Sequence, residues 1–213
     1  MQAKELLRAL AASGTDRTAL AKAVLRQPGL VQPLIENVTH PQARVRFGAA
    51  RVLERIAEDA PALLYPHFAF FVRLLGGENR ILCWEATRIL AHLVAVERDG
   101  QFEGAFRQFF APLSGPTMIT AANIIQSAPV IARARPEWAE RMARQILRVE
   151  TAHYKTPECR NVAIGHAIKA LGQLFPLLQK PRSVIEFVRR HTGNSRAATR
   201  KKAELFLARH FAH

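Results

Sequence analysis

Apolar residues recur at intervals of three and four along almost the whole chain of 213 residues, which is the spacing of one face of an α-helix. The strict alternation typical of β-strands is nearly absent, and proline and glycine interrupt the pattern at short intervals. The pattern therefore predicts an all-α chain of about six helical pairs. The predicted pairs cover 2–12 with 16–26, 29–38 with 41–57, 61–75 with 78–97, 101–112 with 116–132, 136–150 with 157–175, and 181–191 with 195–211.

One helical motif returns along the second helices of these pairs. Its first copy begins at Val45, and residues of similar type return at the same spacing in three later helices. The successive offsets are 37, 35 and 46 residues. The corresponding positions are Ala49, Arg51, Leu53 and Ile56; Ala86, Arg88, Leu90 and Leu93; Ala121, Asn123, Ile125 and Ala128; and Ala167, Lys169, Leu171 and Leu174. Offsets of this size are typical of two-helix repeats that stack into α-solenoids.

Two local patterns resemble those of the HEAT-repeat class of armadillo-type solenoids. Residues 45–53 carry the Val-Arg, Ala-Ala and Leu positions of HEAT second helices, and residues 33–35 begin with a proline, as HEAT first helices often do. The resemblance implies a right-handed α–α superhelix whose second helices line a concave surface. Because no long linker interrupts the chain, we expect a single HEAT-like repeat domain over residues 1–213. The turn before Arg46 departs from the family, since it lacks the acid that usually pairs with this arginine.

Charge adds a second signal. The chain has 31 Lys and Arg residues against 17 Asp and Glu residues, a net charge of +14. The excess is concentrated in residues 141–213, which hold 15 basic and four acidic side chains. Such an excess suggests a polyanionic partner, although a basic surface can also serve solubility alone.

Several classes of protein are not indicated by the sequence. No apolar run reaches the roughly 18 to 20 residues that span a bilayer, and the first residues do not resemble a secretory signal. Cys83 and Cys159 are far apart, so we expect reduced thiols in a cytoplasmic protein. Phosphate-binding glycine loops, nucleophile elbows and closely spaced metal ligands are missing, and we expect neither cofactor nor metal.

The candidate binding residues lie on the polar face of the second helices. In the predicted helix 41–57 this face follows Arg44, Gly48, Arg51 and Arg55. The repeat offsets carry it to Ile81, Glu85, Arg88 and His92, then to Pro116, Thr120, Asn123 and Ser127, and then to Val162, His166, Lys169 and Gln173. The predicted partner-binding set is Arg44, Arg51, Arg55, Arg88, Lys169, Arg196, Arg200, Lys201 and Lys202, of which the last four belong to the final helix.

A basic face on a repeat array favours a non-enzymatic scaffold that binds an acidic protein or a nucleic-acid backbone. The alternative function is enzymatic. HEAT-like glycosylases that excise alkylated DNA bases carry an acid and tryptophans in a basic groove, and Trp84-Glu85 is similar in kind. The resemblance would make Glu85 the catalytic acid. Otherwise, Glu85 is expected to be an exposed acid that bridges to Arg88, three residues later.

Overall fold

The computed structural model describes residues 1–211, and its regular elements are all helical in this range. The six predicted helical pairs and the all-α fold class are confirmed. The α-helices are α1 (Ala3–Ala11), α2 (Arg17–Arg26), α3 (Val31–Glu36), α4 (Ala43–Asp59), α5 (Pro61–Leu64), α6 (Phe68–Leu75), α7 (Arg80–Leu93), α8 (Gln101–Phe110), α9 (Met118–Ala134), α10 (Ala139–Leu147), α11 (Pro157–Leu174), α12 (Arg182–Arg190) and α13 (Ala197–Phe211). None of these helices is long and apolar enough to cross a membrane.

The first helices of the pairs are shorter than predicted because 3₁₀ turns divide or end them. The predicted helix 61–75 consists of α5, a 3₁₀ turn over Tyr65–His67, and α6. Pro66 lies within this turn, and proline cannot supply the N–H that a continuous α-helix requires. The second helices are longer and uninterrupted by such turns, which makes them the regular layer of the repeat.

Polar side chains define the starts of several second helices. The Asp16 carboxylate accepts hydrogen bonds from the backbone N–H groups of Thr18 and Ala19 at the start of α2. The Thr156 hydroxyl accepts one from the N–H of Cys159 at the start of α11, and Pro157 is the first residue of that helix, as the sequence predicts. Each cap satisfies an N–H group that the helix itself leaves without a partner.

The chain divides into two compact units, Met1–Ala105 and Phe106–His213, with the boundary inside α8. In the first unit the second helices α2, α4 and α7 pack side by side in chain order. In the second unit α9, α11 and α13 do the same. Small residues lie where these helices meet, since Ala49, Ala86 and Ala167 are fully buried. A single domain over residues 1–213 stays a prediction.

A similar side-chain contact to a turn carbonyl occurs near the start of three second helices. The Arg46 guanidinium donates to the carbonyl of His40 at 2.9 Å, and Arg200 donates in the same way to the carbonyl of Asn194 at 2.8 Å. In α7 the Cys83 thiol takes this position and lies 3.2 Å from the carbonyl of Gly77. In each case the partner is six residues earlier, so this position closes the turn before its own helix.

Candidate anion-binding site

The second unit contains a cleft of about 440 Å³ that is lined by the second helices of its three repeats. We call it the cationic cleft. α9 contributes Gln126 and Arg133, α11 contributes His166, Lys169 and Gln173, and α13 contributes Lys202. Because adjacent helices present these side chains to one cavity, a ligand in the cleft would contact three successive repeats.

Helical spacing explains how the sequence builds this cleft. His166, Lys169 and Gln173 lie three and four residues apart, so they share one face of α11. Gln126 and Arg133 are seven residues apart and share a face of α9 by the same rule.

The described residues that line the cationic cleft include three cations and no acid. Among residues 1–211, no carboxylate lies within ion-pair distance of Arg133, Lys169 or Lys202. Burial lowers the pKa of Lys202, and the nearby charges of Arg196 and Lys169 lower it further. The pKa of His166 is also lowered, chiefly by burial and then by the positive charges of Lys202, Lys169 and Arg196. These side chains repel one another, so an anion placed among them would relieve the repulsion.

A network of uncharged polar groups holds α13 against α11 beside the cleft. The fully buried hydroxyl of Thr199 donates to the carbonyl of Asn161 at 2.9 Å. The side-chain amides of Asn161 and Asn194 are joined at 3.1 Å, and Asn161 also donates to the hydroxyl of Ser195. A Cβ added to Gly165 would lie 2.8 Å from the Thr199 hydroxyl and 3.3 Å from Lys202 Nζ. Glycine at this position therefore permits the close approach that brings Lys202 to the cleft.

The structure distributes the nine predicted binding residues over different environments. Lys169 and Lys202 line the cationic cleft, and Lys201 is exposed on α13. Arg196 forms an ion pair with Glu158 at 2.7 Å. The Arg200 guanidinium donates hydrogen bonds to the turn carbonyls of Asn194 and Ser195. A binding role for Arg196, Arg200 or Lys201 stays a prediction.

The predicted arginines of the first unit are largely neutralised by acids of the same unit. Arg55 pairs with Glu58 at 2.9 Å and with Asp59 at 3.2 Å. Arg88 on α7 pairs with Glu54 on α4 and lies 2.7 Å from Glu85. Arg44 is exposed beside the turn between α1 and α2, where its guanidinium is 3.5 Å from the carbonyl of Ala11.

The expected exposure of Glu85 is wrong, although its predicted bridge to Arg88 is present. The Glu85 side chain is only 3% exposed, and its carboxylate lies 3.5 Å from Arg51 on α4. Burial and the neighbouring Glu54 carboxylate raise the pKa of Glu85 to about 7, against the opposing charge of Arg88. The side chain was expected on the polar face, but it points into the α4–α7 interface. Its catalytic role stays a prediction.

Sequence reasoning missed two residues of the cleft, Gln126 and Arg133. The repeat motif had assigned Thr120 and Ser127 of α9 to the polar face, at offsets of 35 residues from α7 and 46 residues from α11, but the structure buries both. In the structure, Gln126 and Arg133 take the places that correspond to His166 and Gln173, which is an offset of 40 residues. Aligning α9 and α11 by their first residues, Met118 and Pro157, would have given an offset close to the observed 40 residues.

No protein-family model and no curated protein matches this sequence. Solved structures do match. The designed armadillo repeat protein YIII(Dq)4CqI is 14% identical, with a TM-score of 0.59 over 97% of this chain and 98% of that chain. A related design in complex with the peptide (KR)4 is 14% identical, with a TM-score of 0.57 over 96% and 90%. A chain from the Pds5–Scc1 complex is 13% identical, with a TM-score of 0.59 over 88% of this chain and 30% of that chain.

The chain has the armadillo/HEAT-type α-solenoid fold. This assignment confirms the resemblance drawn from residues 45–53, and it explains why the second helices form one layer in each unit. At these identities the likeness concerns the fold alone. It does not extend to the side chains that form the cationic cleft.

Within residues 1–211, His, Cys, Asp and Glu side chains do not form a group of three or more that could hold a metal ion. Cys83 and Cys159 are free thiols, the first buried and the second half-buried. The polar side chains of the cleft are cations, amides and an imidazole, each of which can donate a hydrogen bond to an anion.

Proposed function

We propose that this solenoid is a non-enzymatic binding scaffold whose cationic cleft holds an anionic segment of a partner molecule. The observation that carries the proposal is the convergence of Arg133, Lys169 and Lys202 from three successive helices, with no carboxylate of residues 1–211 in ion-pair range of them. Repeat arrays bind extended segments along a row of equivalent helices. A partner with regularly spaced negative charges, either an acidic protein segment or a nucleic-acid backbone, fits this arrangement.

A structural neighbour supports the mode of binding. The designed armadillo protein crystallised with (KR)4 binds a peptide of alternating basic residues. The cleft described here is itself basic, so a peptide bound in it would be acidic. The base-excision alternative gains no support from the placement of Glu85, since a residue that acts on an extruded base must be reachable by that base.

The proposal is tested by fluorescence anisotropy with a labelled glutamate-rich peptide and a labelled DNA duplex, titrated at several salt concentrations. Replacement of Lys169 and Lys202 by Gln removes two contacts to the ligand, so the dissociation constant should rise by about tenfold. The salt dependence should become shallower, since fewer counterions are displaced. Because the two lysines repel each other, we expect no loss of thermal stability.

The matched control replaces Arg144 and Arg189 by Gln, which removes the same charge from exposed positions on α10 and α12. Binding by the control should equal that of the wild type. If neither the acidic peptide nor DNA binds at low salt, the proposal is refuted. Equal losses in the two double variants would show that net charge, and not the cleft, attracts the ligand.

A further inference from the structure

The cationic cleft continues into an apolar depression of about 270 Å³ between α11 and α13. Lys169, Gln173 and Lys202 line both cavities, so the two are joined along a shared wall. Beyond this wall the surface changes from charged to aliphatic, while Arg209 still contributes a cation to the lining. A ligand that fills both cavities would therefore meet cations first and apolar surface next to them.

Three apolar residues and a glycine shape the depression. Leu205 on α13 is 58% exposed, and Ile168 on α11 also lines this space. A Cβ added to Gly172 would lie 3.3 Å from the Phe206 ring, so this glycine lets the ring approach the backbone of α11. The exposed Leu205 is the part of the depression that a ligand can still cover.

We infer that the ligand of the cleft is a peptide segment in which acidic side chains lie next to a large apolar side chain. This inference rests on the proposed binding function and selects a protein partner over a nucleic acid. The acidic groups would pair with Arg133, Lys169 and Lys202, and the apolar side chain would cover Leu205 in the depression. Because the shared wall places the two kinds of contact side by side, the acidic and apolar side chains should be neighbours along the peptide.

A nucleic acid complements this surface less well. Its phosphates match the cations, but its remaining binding energy comes from bases that stack on exposed aromatic rings. Two rings line the depression: Phe206 is only 5% exposed, and His210 is half-buried, with its ring packed against Phe175 and Phe206. The accessible surface is instead the aliphatic Leu205, and an aliphatic side chain is the group that a protein segment can place against it.

The test compares two labelled peptides, one of glutamates around a central leucine and one with serine in place of that leucine. Wild-type protein should bind the leucine peptide about tenfold more tightly. Leu205→Ser should bind both peptides with similar affinity, since the two changes remove the same contact and are therefore not additive. The matched control is Ile119→Ser, which removes a 49% exposed apolar side chain from the start of α9, outside both cavities.

The outcomes separate this inference from the proposed function. If both peptides bind equally and Lys169→Gln with Lys202→Gln weakens both, the cleft binds anions but the apolar preference is refuted. If a DNA duplex binds more tightly than the leucine peptide and Leu205→Ser changes neither, the partner is a nucleic acid. If no probe binds, both proposals fail together.

Discussion

Replacing Glu85 by Gln should change how the stability of the first unit depends on pH. The pKa of Glu85 is raised from an ordinary value of 4.5 to about 7, chiefly by burial. Between these values the folded state holds more protons than the unfolded state, so the folded state loses stability as pH rises through this window. One extra bound proton corresponds to a slope of up to about 1.4 kcal/mol per pH unit. Gln cannot ionise and should abolish this contribution.

The assay is urea denaturation of the wild type and Glu85→Gln at a series of pH values from 4 to 8. The free energy of unfolding of the variant, minus that of the wild type, should increase from about pH 4.5 to about pH 7 and be flat below this window. Contributions from His166, His191 and other groups outside the interface cancel in this difference. Glu58→Gln is the control, since it removes an exposed carboxylate that pairs with Arg55 within α4.

A flat difference over the whole range would refute this reasoning. It would mean that the pKa of Glu85 is the same in the folded and unfolded states, because Arg51 and Arg88 offset the effect of burial. A difference that decreases with pH would show that these ion pairs hold the pKa below its ordinary value.

Two further substitutions test close packing within the second unit. Gly115 has a φ of +117°, and a Cβ there would overlap the backbone of His153, so Gly115→Ala should lower the free energy of unfolding by at least about 2 kcal/mol. Chemical denaturation should show this loss, whereas Gly104→Ala on exposed α8 backbone should be neutral or slightly stabilising. Thr199→Val deletes a buried hydroxyl that donates to a carbonyl of α11, at an expected cost of about 1 kcal/mol. Thr192→Val, which removes an exposed hydroxyl bond, should cost less, and an equal loss in both would contradict a special role for the α11–α13 network.

The helices of this fold follow from local sequence, which is why they could be predicted. The spacing of apolar residues defines each second helix within a few positions, and Thr156-Pro157 marks the start of α11 as observed. The 3₁₀ turns were missed because their boundaries depend on the packing of the short first helices. A proline such as Pro66 signals a break, but it does not show whether the chain continues as a new helix.

The candidate site was harder to predict because it depends on how neighbouring helices are rotated and aligned. The repeat pattern placed Lys169 on the polar face of α11, and Lys202 was included because the final helix is rich in basic residues. Arg133 was missed because similar small and apolar residues recur within α9, so an alignment displaced by several residues still matched buried positions. Glu85 illustrates the rotation problem, since a helical wheel cannot show that two arginines of the α4–α7 interface draw a carboxylate inward.

Net charge alone does not locate a binding surface in this solenoid, but the pairing of charges does. The first unit also contains a row of arginines on its second helices, but Arg55 and Arg88 in this row already have carboxylate partners. A ligand that binds these arginines must compete with partners that are already in place, so little binding energy is gained. Lys169 and Lys202 face no such competition among the described residues, and their mutual repulsion favours any anion that enters. The same reasoning predicts that acidic ligands select the second unit even though arginines are abundant in both.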